Sequence, residues 1–451
     1  MPASAPVSQK ERIDIIDILR GVALLGILLM NIPYFSNPEQ ANFNLRVYNE
    51  TSGPNYYTWW AITGLFEGTM RAMFTILFGA GCLLLVKRLE NKPGINPADI
   101  YYRRLLWLLL FGFINAFVFL WPGDILYPYA LCGLFIFPFR NMKAKHLAYI
   151  GAFLLIVTVA KNTYTDYSKG AERKAGEQAI SIENKGDNLT GEQQAAKDAW
   201  LAAQERSNPD NIRKAADEEK ALMSGGDYPT IWAHLKNINI FLQSTEFYNQ
   251  TFLDIMLLLF LGMAAFKAGM ITGARSIRFY FIAMVIGYIF GLAASYWYAR
   301  NWILAGFDRA YYNDLAFVNL FQVKRILLAI GHFSLVMLLY KMGFAKRFME
   351  WMRSVGQMAF TNYLMQSIIC TTIFYGYGFG YFGKWQRYET YYIVGAIWIF
   401  QVVFSVVWLR YYRFGPFEWI WRSLTYWKKQ PFIKKKKADE PETPEFSPAL
   451  T

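Results

Sequence analysis

Charged side chains are scarce in this sequence of 451 residues, of which 18% are charged and 55% are hydrophobic. A soluble domain usually has about 25% charged residues, so the composition excludes an ordinary soluble fold. Cysteine is also rare: Cys82, Cys132 and Cys370 all lie in apolar stretches, which argues against a disulfide framework. No metal-ligand spacing links the cysteines, and we predict neither a bound metal nor a bound cofactor.

Long apolar stretches are abundant instead, and about ten of them are long enough to span or nearly span a bilayer. Lysine and arginine cluster at alternate ends of these stretches, as the positive-inside rule requires. The net charge of +13 therefore reflects membrane topology and does not indicate nucleic-acid binding. We predict an all-α polytopic membrane protein, a bundle of about ten transmembrane helices in a lipid bilayer, with both termini in the cytoplasm.

The composition divides the chain into four parts. They are an N-terminal transmembrane region with helices one to five (1–160), a polar helical extracytoplasmic loop (161–249), a C-terminal transmembrane region (250–427) and a disordered tail, first basic and then acidic (428–451). Within the loop, Asn208-Pro209 and Gly225-Gly226 predict helix breaks.

The first apolar helix has polar residues along one face. Arg20 and Asn31 are eleven residues apart, which is roughly three turns and about 16 Å along a helix. Asp17 lies on the same face, where it can pair with Arg20, and Asn31 lies near mid-membrane, where an amide needs a partner or a water-filled cavity. Alternatively, Arg20 extends to the membrane surface and Asn31 only joins two helices.

Two carboxylates of the next helices are further candidates. Glu67 and Arg71 are four residues apart on predicted helix two, so they form either an ion pair or part of a site. Asp124 follows a Trp-Pro-Gly turn at the outer tip of a helical hairpin. It also precedes predicted helix four, where a carboxylate is favoured as a cap.

Several stretches resemble a known family. Residues 17–27, 77–81 and 123–126 resemble the YeiB-like bacterial inner-membrane proteins, and residues 356–367 and 415–426 resemble the C-terminal domain of unknown function of that family. The similarity covers most of the chain except the long outer loop. It implies a multi-pass protein of the bacterial cytoplasmic (inner) membrane.

The first helix of that family is similar to the first helix of the transmembrane acyltransferases. The resemblance implies transfer of an acyl group from cytoplasmic acyl-CoA, as co-substrate, to an extracytoplasmic sugar or envelope acceptor. In the O-acyltransferase branch a histidine stands eleven residues after the arginine, whereas this chain has Asn31 there and Asn115 at a second position where related proteins often have histidine. An amide cannot act as a general base.

Catalysis would then need another base, and the candidates are His332, the only intramembrane histidine, Asp124 and Glu67. Residues predicted to bind substrate or acyl-CoA are Asp17, Arg20, Asn31, Arg71, Arg103, Arg104, Asn115, Asn362 and Gln366. Each has a structural alternative, such as helix packing for His332 and membrane anchoring for the cations. A transporter or exporter of a small metabolite would use the same buried charges, and a non-catalytic scaffold would use them only for assembly.

Overall fold

In the computed structural model, the described residues 13–434 are almost entirely helical, with one isolated antiparallel bridge. The first half contains α1 (Asp14–Ser36), α2 (Glu39–Phe43), α3 (Gly53–Leu65), α4 (Thr69–Glu90), α5 (Pro97–Phe117), α6 (Leu126–Ile136), α7 (Ala144–Asn184), α8 (Gly191–Ser207) and α9 (Pro209–Gly225). The second half contains α10 (Tyr228–Phe241), α11 (Phe252–Lys267), α12 (Ile277–Leu304), α13 (Arg309–Leu315), α14 (Phe321–Lys341), α15 (Lys346–Gln357), α16 (Ala359–Phe374), α17 (Arg387–Tyr411) and α18 (Pro416–Tyr426). The predicted all-α class is confirmed.

Eight helices within the described residues are long and apolar enough to cross a membrane, so the chain is a polytopic membrane protein. The prediction of about ten spans differs by two because α6 and α16 are only 11 and 16 residues long. At 1.5 Å per residue, helices of these lengths extend about 16 and 24 Å, less than the roughly 30 Å hydrocarbon core.

Predicted helix two is two helices, because the chain turns at residues 66–68 between α3 and α4. Gly68 has φ +72, a left-handed conformation that glycine adopts without the steric cost of a side chain. The turn separates Glu67 from the helix that carries Arg71, so the expected helical spacing of these two side chains is absent.

The long polar segment is helical throughout most of its length. α7 continues from its apolar part to Asn184, so it includes the first 24 residues of the predicted loop, 161–184. The breaks predicted at Asn208-Pro209 and Gly225-Gly226 are present, because α9 begins at Pro209 and ends at Gly225. A π-helical segment (Leu242–Thr251) joins α10 to α11 in one continuous rod.

The first helix, α1, lies in the core, where it packs against α4, α15, α16 and α17. Glycines allow its closest contact: a Cβ on Gly356 of α15 would lie 1.8 Å from the carbonyl oxygen of Asp17. A Cβ on Gly21 would likewise lie 2.1 Å from the carbonyl oxygen of Met352. This backbone contact fixes the N-terminal half of α1 against the C-terminal part of the protein.

Part of the predicted disordered tail is ordered. The chain after α18 returns to the end of α17, where Arg413 donates its N–H to the Phe432 carbonyl and Tyr412 bridges to Ile433. The rest of the tail, 435–451, and the first twelve residues lie outside the described residues, as do the two termini whose cytoplasmic location we predict.

Candidate functional site

Two cavities lie along α1, and its three predicted site residues divide between them: Asp17 and Arg20 line one, and Asn31 lines the other. The smaller, which we call the Arg20 cavity, has a volume of about 230 Å³, and the larger, the Asn31 cavity, has about 580 Å³. Ile125 lines both of them. The polar face of α1 therefore lines two cavities that share Ile125, in the turn before α6, as a lining residue.

The Arg20 cavity is rich in arginine. Arg20 pairs with Asp17 at 3.4 Å, as predicted from their spacing. Arg104 places its guanidinium 3.7 Å from the ring centre of Trp421, whose Nε1 donates to the Arg104 carbonyl at 2.9 Å. Arginine guanidinium groups bind phosphates and carboxylates, so this lining suits an anionic molecule. The charged residues of the lining are Asp17, Arg20, Arg88, Arg104, Glu418 and Arg422.

Glu418 of this cavity has a structural role. Its buried carboxylate accepts hydrogen bonds from the backbone N–H groups of Phe360 at 2.8 Å and Thr361 at 3.0 Å, and from the Thr361 hydroxyl at 2.5 Å. These N–H groups belong to the first turn of α16, which has no intrahelical acceptor for them. α18 thereby caps α16 and closes one side of the Arg20 cavity.

Asp124 lies at the turn between the two cavities. Its carboxylate accepts from Asn115 Nδ2 at 2.8 Å and from the Tyr127 N–H at 2.8 Å, so it caps α6 as predicted. The Tyr363 hydroxyl accepts the N–H of Ile125 at 3.0 Å and holds the same turn against α16. Asn115 is fully buried and reaches neither cavity, so its contribution is to orient Asp124.

Glu67, Arg71 and Asp254 form one part of the lining of the Asn31 cavity, which we call its inner end, and Lys324 and Arg325 lie directly behind it without lining the cavity. Lys324 donates to Glu67 at 2.5 Å, and Asp254 pairs with both Arg71, at 3.3 Å, and Arg325. Of the two alternatives for Glu67 and Arg71, the mutual ion pair does not form: the turn at Gly68 separates them, and Glu67 pairs with Lys324 while Arg71 pairs with Asp254. Three cations therefore face two carboxylates; Lys324 and Arg325 are shielded from solvent, whereas Arg71 is 42% exposed in the cavity.

The rim of this cavity is acidic. Glu39 of α2, Glu219 of α9 and Glu246 of the π-helical segment line it. α9, which carries Glu219, packs against α2, which carries Glu39. Burial, with a smaller contribution from the Glu39 charge, raises the pKa of Glu219 to about 7, and burial also raises the pKa of Glu39.

Six predicted site residues line neither cavity: Asp124 and Asn115, described above, and His332, Arg103, Asn362 and Gln366. The ring nitrogens of His332 contact the Tyr288 hydroxyl at 2.8 Å and the Leu65 carbonyl at 3.0 Å, which holds the ring between helices. Arg103 is bonded to Asp99 and the Thr425 carbonyl. Asn362 and Gln366 join α16 to Ser405 and Gln401 of α17, as their alternative interpretation requires.

The buried cations of α14 are functional-site candidates that were not predicted from the sequence. Lys324 and Arg325 are both 0% exposed, yet they stand at the end of an apolar helix that the charge pattern assigns to the outer side. Two adjacent cations there depart from the positive-inside rule. That departure is the signal from which their burial against carboxylates could have been inferred.

Comparison with known proteins identifies relatives along the whole chain. Residues 265–428 match the family described as "Protein of unknown function (DUF418)". The chain is 32% identical over 454 residues to "Uncharacterized protein YxaH" of Bacillus subtilis (strain 168), covering 97% of this chain and all of the relative. It is 32% identical over 436 residues to "Uncharacterized protein YeiB" of Escherichia coli (strain K12), covering 94% of this chain and 99% of the relative.

No solved structure gives a significant match to the chain. The identity to the two bacterial relatives extends over nearly their full length, and the matched C-terminal family includes α12 to α18. The membrane-spanning helices and these relatives lead to one conclusion: the chain belongs to the YeiB-like family of membrane proteins, with a C-terminal DUF418 domain.

Proposed function

We propose that the protein transfers an acyl group from cytoplasmic acyl-CoA to a sugar or envelope acceptor on the other side of the bacterial cytoplasmic membrane. The observation that carries this proposal is the pair of cavities along α1, which have different charge and meet at Ile125. An acyl donor and an acceptor that occupy opposite cavities would meet at that residue without either one crossing the membrane.

The Arg20 cavity is the donor site in this proposal. Its arginines would bind phosphate groups, and its end at Phe74, Phe78 and Leu126 is apolar. A volume of about 230 Å³ is below that of a typical small-molecule pocket. It would hold the acyl-pantetheine arm and leave the nucleotide at the arginine-lined mouth.

Asp124 is the candidate base in this proposal. Asp124 lines neither cavity itself, but it directly precedes Ile125, which lines both. Asn115 and the Tyr127 N–H fix the orientation of its carboxylate. A base must lie within hydrogen-bond reach of the proton that it removes. Neither His332 nor Glu67 is placed at that turn, since His332 lies between helices and Glu67 is paired with Lys324.

Calorimetric titration of acetyl-CoA into the purified protein tests the donor site. Arg104→Gln should weaken binding about tenfold or more, the value of one lost charge-assisted hydrogen bond. Arg103→Gln is the matched control, because the neighbouring Arg103 does not line the cavity and should leave binding unchanged. Absence of binding to the unaltered protein, or equal losses in both variants, would contradict the proposal.

A transporter is the second candidate, because cavities that reach one residue from two sides also suit alternating access. The discriminating observation is the fate of substrate. Cells that lack the protein would accumulate or lose a labelled metabolite if it is a transporter, whereas reconstituted vesicles would show a covalently acylated acceptor if it is an acyltransferase.

A further inference from the structure

The charges at the inner end of the Asn31 cavity, together with Lys324 and Arg325 directly behind it, have a positive surplus. Arg71, Lys324 and Arg325 face only Glu67 and Asp254, and the two arginines share the carboxylate of Asp254. Arg325 is 0% exposed, and its Nε and Nη1 atoms have no hydrogen-bond partner among residues 13–434. An uncompensated buried charge is strongly destabilising, so an anionic group at this end would be favoured.

Arg71 is the cation that such a group would contact. Its side chain is 42% exposed and lines the cavity, and its planar guanidinium matches a phosphate or a carboxylate. Gln322 lines the same cavity and is only 4% exposed, yet its Oε1 has no partner within the described chain. This unused buried acceptor is an observation independent of the charges, and it indicates that a polar ligand completes the site.

The rim of the Asn31 cavity is negatively charged, in contrast to the cations at and behind its inner end. Glu39, Glu219 and Glu246 all line it. The charge of Glu246 contributes to the raised pKa of Glu39, and the charge of Glu39 contributes to the raised pKa of Glu219. The rim's Arg309 is engaged by Asp166 at 2.7 Å. In the part of the chain that the structure describes, no ion pair neutralises any of the three glutamates.

The two ends are close enough for one small molecule. Glu246 and Asp254 are eight residues apart on one continuous helical rod, which separates their backbones by about 12 Å. The long side chains of arginine and glutamate shorten that gap. The cavity volume of about 580 Å³ lies within the usual range for a bound small molecule.

We propose that the Asn31 cavity binds a zwitterion, with its phosphate or carboxylate group on Arg71 and its ammonium group among Glu39, Glu219 and Glu246. This proposal deepens the proposed function by giving the chemical class of the acceptor, and it rests on that function only for the role of the ligand. A zwitterionic lipid headgroup and a free amino compound share this chemistry.

The test is calorimetric titration of the purified full-length protein in detergent, without any acyl donor. The probes are O-phosphoethanolamine and β-alanine, with inorganic phosphate, acetate and ethanolamine as the corresponding half-molecules. We expect at least one zwitterion to bind ten or more times tighter than each of its halves. Equal affinity for a half-molecule, or no binding of either zwitterion, would overturn the proposal while leaving the acetyl-CoA result untouched.

Variants locate the site. Arg71→Gln and Glu219→Gln should each weaken the zwitterion tenfold or more, and Arg71→Lys should restore part of the loss. Glu218→Gln, next to Glu219 but exposed on α9, and Arg300→Gln, exposed on α12, are matched controls that should bind normally. If both Arg71→Gln and Glu219→Gln bind the zwitterion normally, the site lies elsewhere and the proposal is refuted. A lower folding stability of one variant would not change that conclusion.

Reconstitution distinguishes the two sources of ligand. Nanodiscs made with phosphatidylethanolamine, compared with nanodiscs of phosphatidylglycerol alone, should stabilise the unaltered protein against thermal unfolding if the ligand is a lipid headgroup. Arg71→Gln should then abolish the difference. If the ligand is a free amino compound, the two kinds of nanodisc should give the same unfolding midpoint, and added O-phosphoethanolamine or β-alanine should raise it.

Discussion

The charge balance beside the Asn31 cavity depends on individual buried residues. Asp254 is 5% exposed and holds Arg325, which is completely buried, together with Arg71. Removing water from a charge costs several kcal/mol, and only a close partner of opposite charge offsets that cost. The structure therefore makes Asp254 the residue on which the local charge balance depends.

Asp254→Asn should lower the free energy of unfolding by about 3–5 kcal/mol, because it leaves two arginines without a counter-charge. Thermal unfolding in detergent measures the loss. The exposed Asp187→Asn is the control and should change little. Asp254→Asn combined with Arg325→Met should recover part of the stability, and a double variant as unstable as the single one would argue against this account.

The close packing of α1 against α15 positions the residues that line the two cavities. α1 contributes residues to both cavities, and its register against α15 is set where two glycines bring the backbones together. Small residues at such contacts are typical of membrane helix packing. A change at this contact should shift Arg20 relative to Arg104 without touching either side chain.

Gly356→Ala should destabilise the protein by about 3 kcal/mol or more, because the added methyl group overlaps the Asp17 carbonyl and the helices must move apart. Gly395→Ala is the matched control within α17, where a Cβ meets nothing within 4 Å. It should be neutral or slightly stabilising, since alanine favours a helix more than glycine does. Thermal unfolding of both variants, side by side, measures the contrast; similar midpoints would contradict the proposed contact.

In the whole molecule, the two cavities lie on either side of the turn before α6, which contains Ile125. The arginine-lined cavity lies at the helix ends that carry most cations, and the acidic rim lies beneath α9 and α10 of the long polar segment. This arrangement assigns the two cavities to opposite sides of the membrane only if the charge pattern predicts the topology correctly.

Cysteine labelling of intact cells tests that topology. Glu192→Cys, exposed on α8, should react with a membrane-impermeant maleimide, whereas Lys346→Cys, exposed at the start of α15, should react only after permeabilisation. Background labelling should be low because the native cysteines are at most 9% exposed. The opposite pattern would invert the predicted orientation and exchange the donor and acceptor sides of the proposed function.

The class of the protein and the contacts between residues close together in the chain could be predicted from the amino-acid sequence alone. Apolar length and the placement of cations depend on neighbouring residues along the chain, so the helices, the Asp17–Arg20 pair, the cap at Asp124 and the breaks at Pro209 and Gly225 could all be predicted. The family resemblance could be recognised for the same reason, since it is carried by continuous stretches.

The pairing of polar residues that are far apart in the sequence depends on the tertiary structure. Asp254 and Arg325 are 71 residues apart in sequence, and Glu67 and Lys324 are 257 apart, so no local pattern could pair them. The turn at Gly68 separated Glu67 from Arg71, and helix packing placed Arg20 and Asn31 in different cavities although one helical face carries both. Long-range pairing of charges is governed by the cost of burying them, which depends on the folded surroundings of each residue.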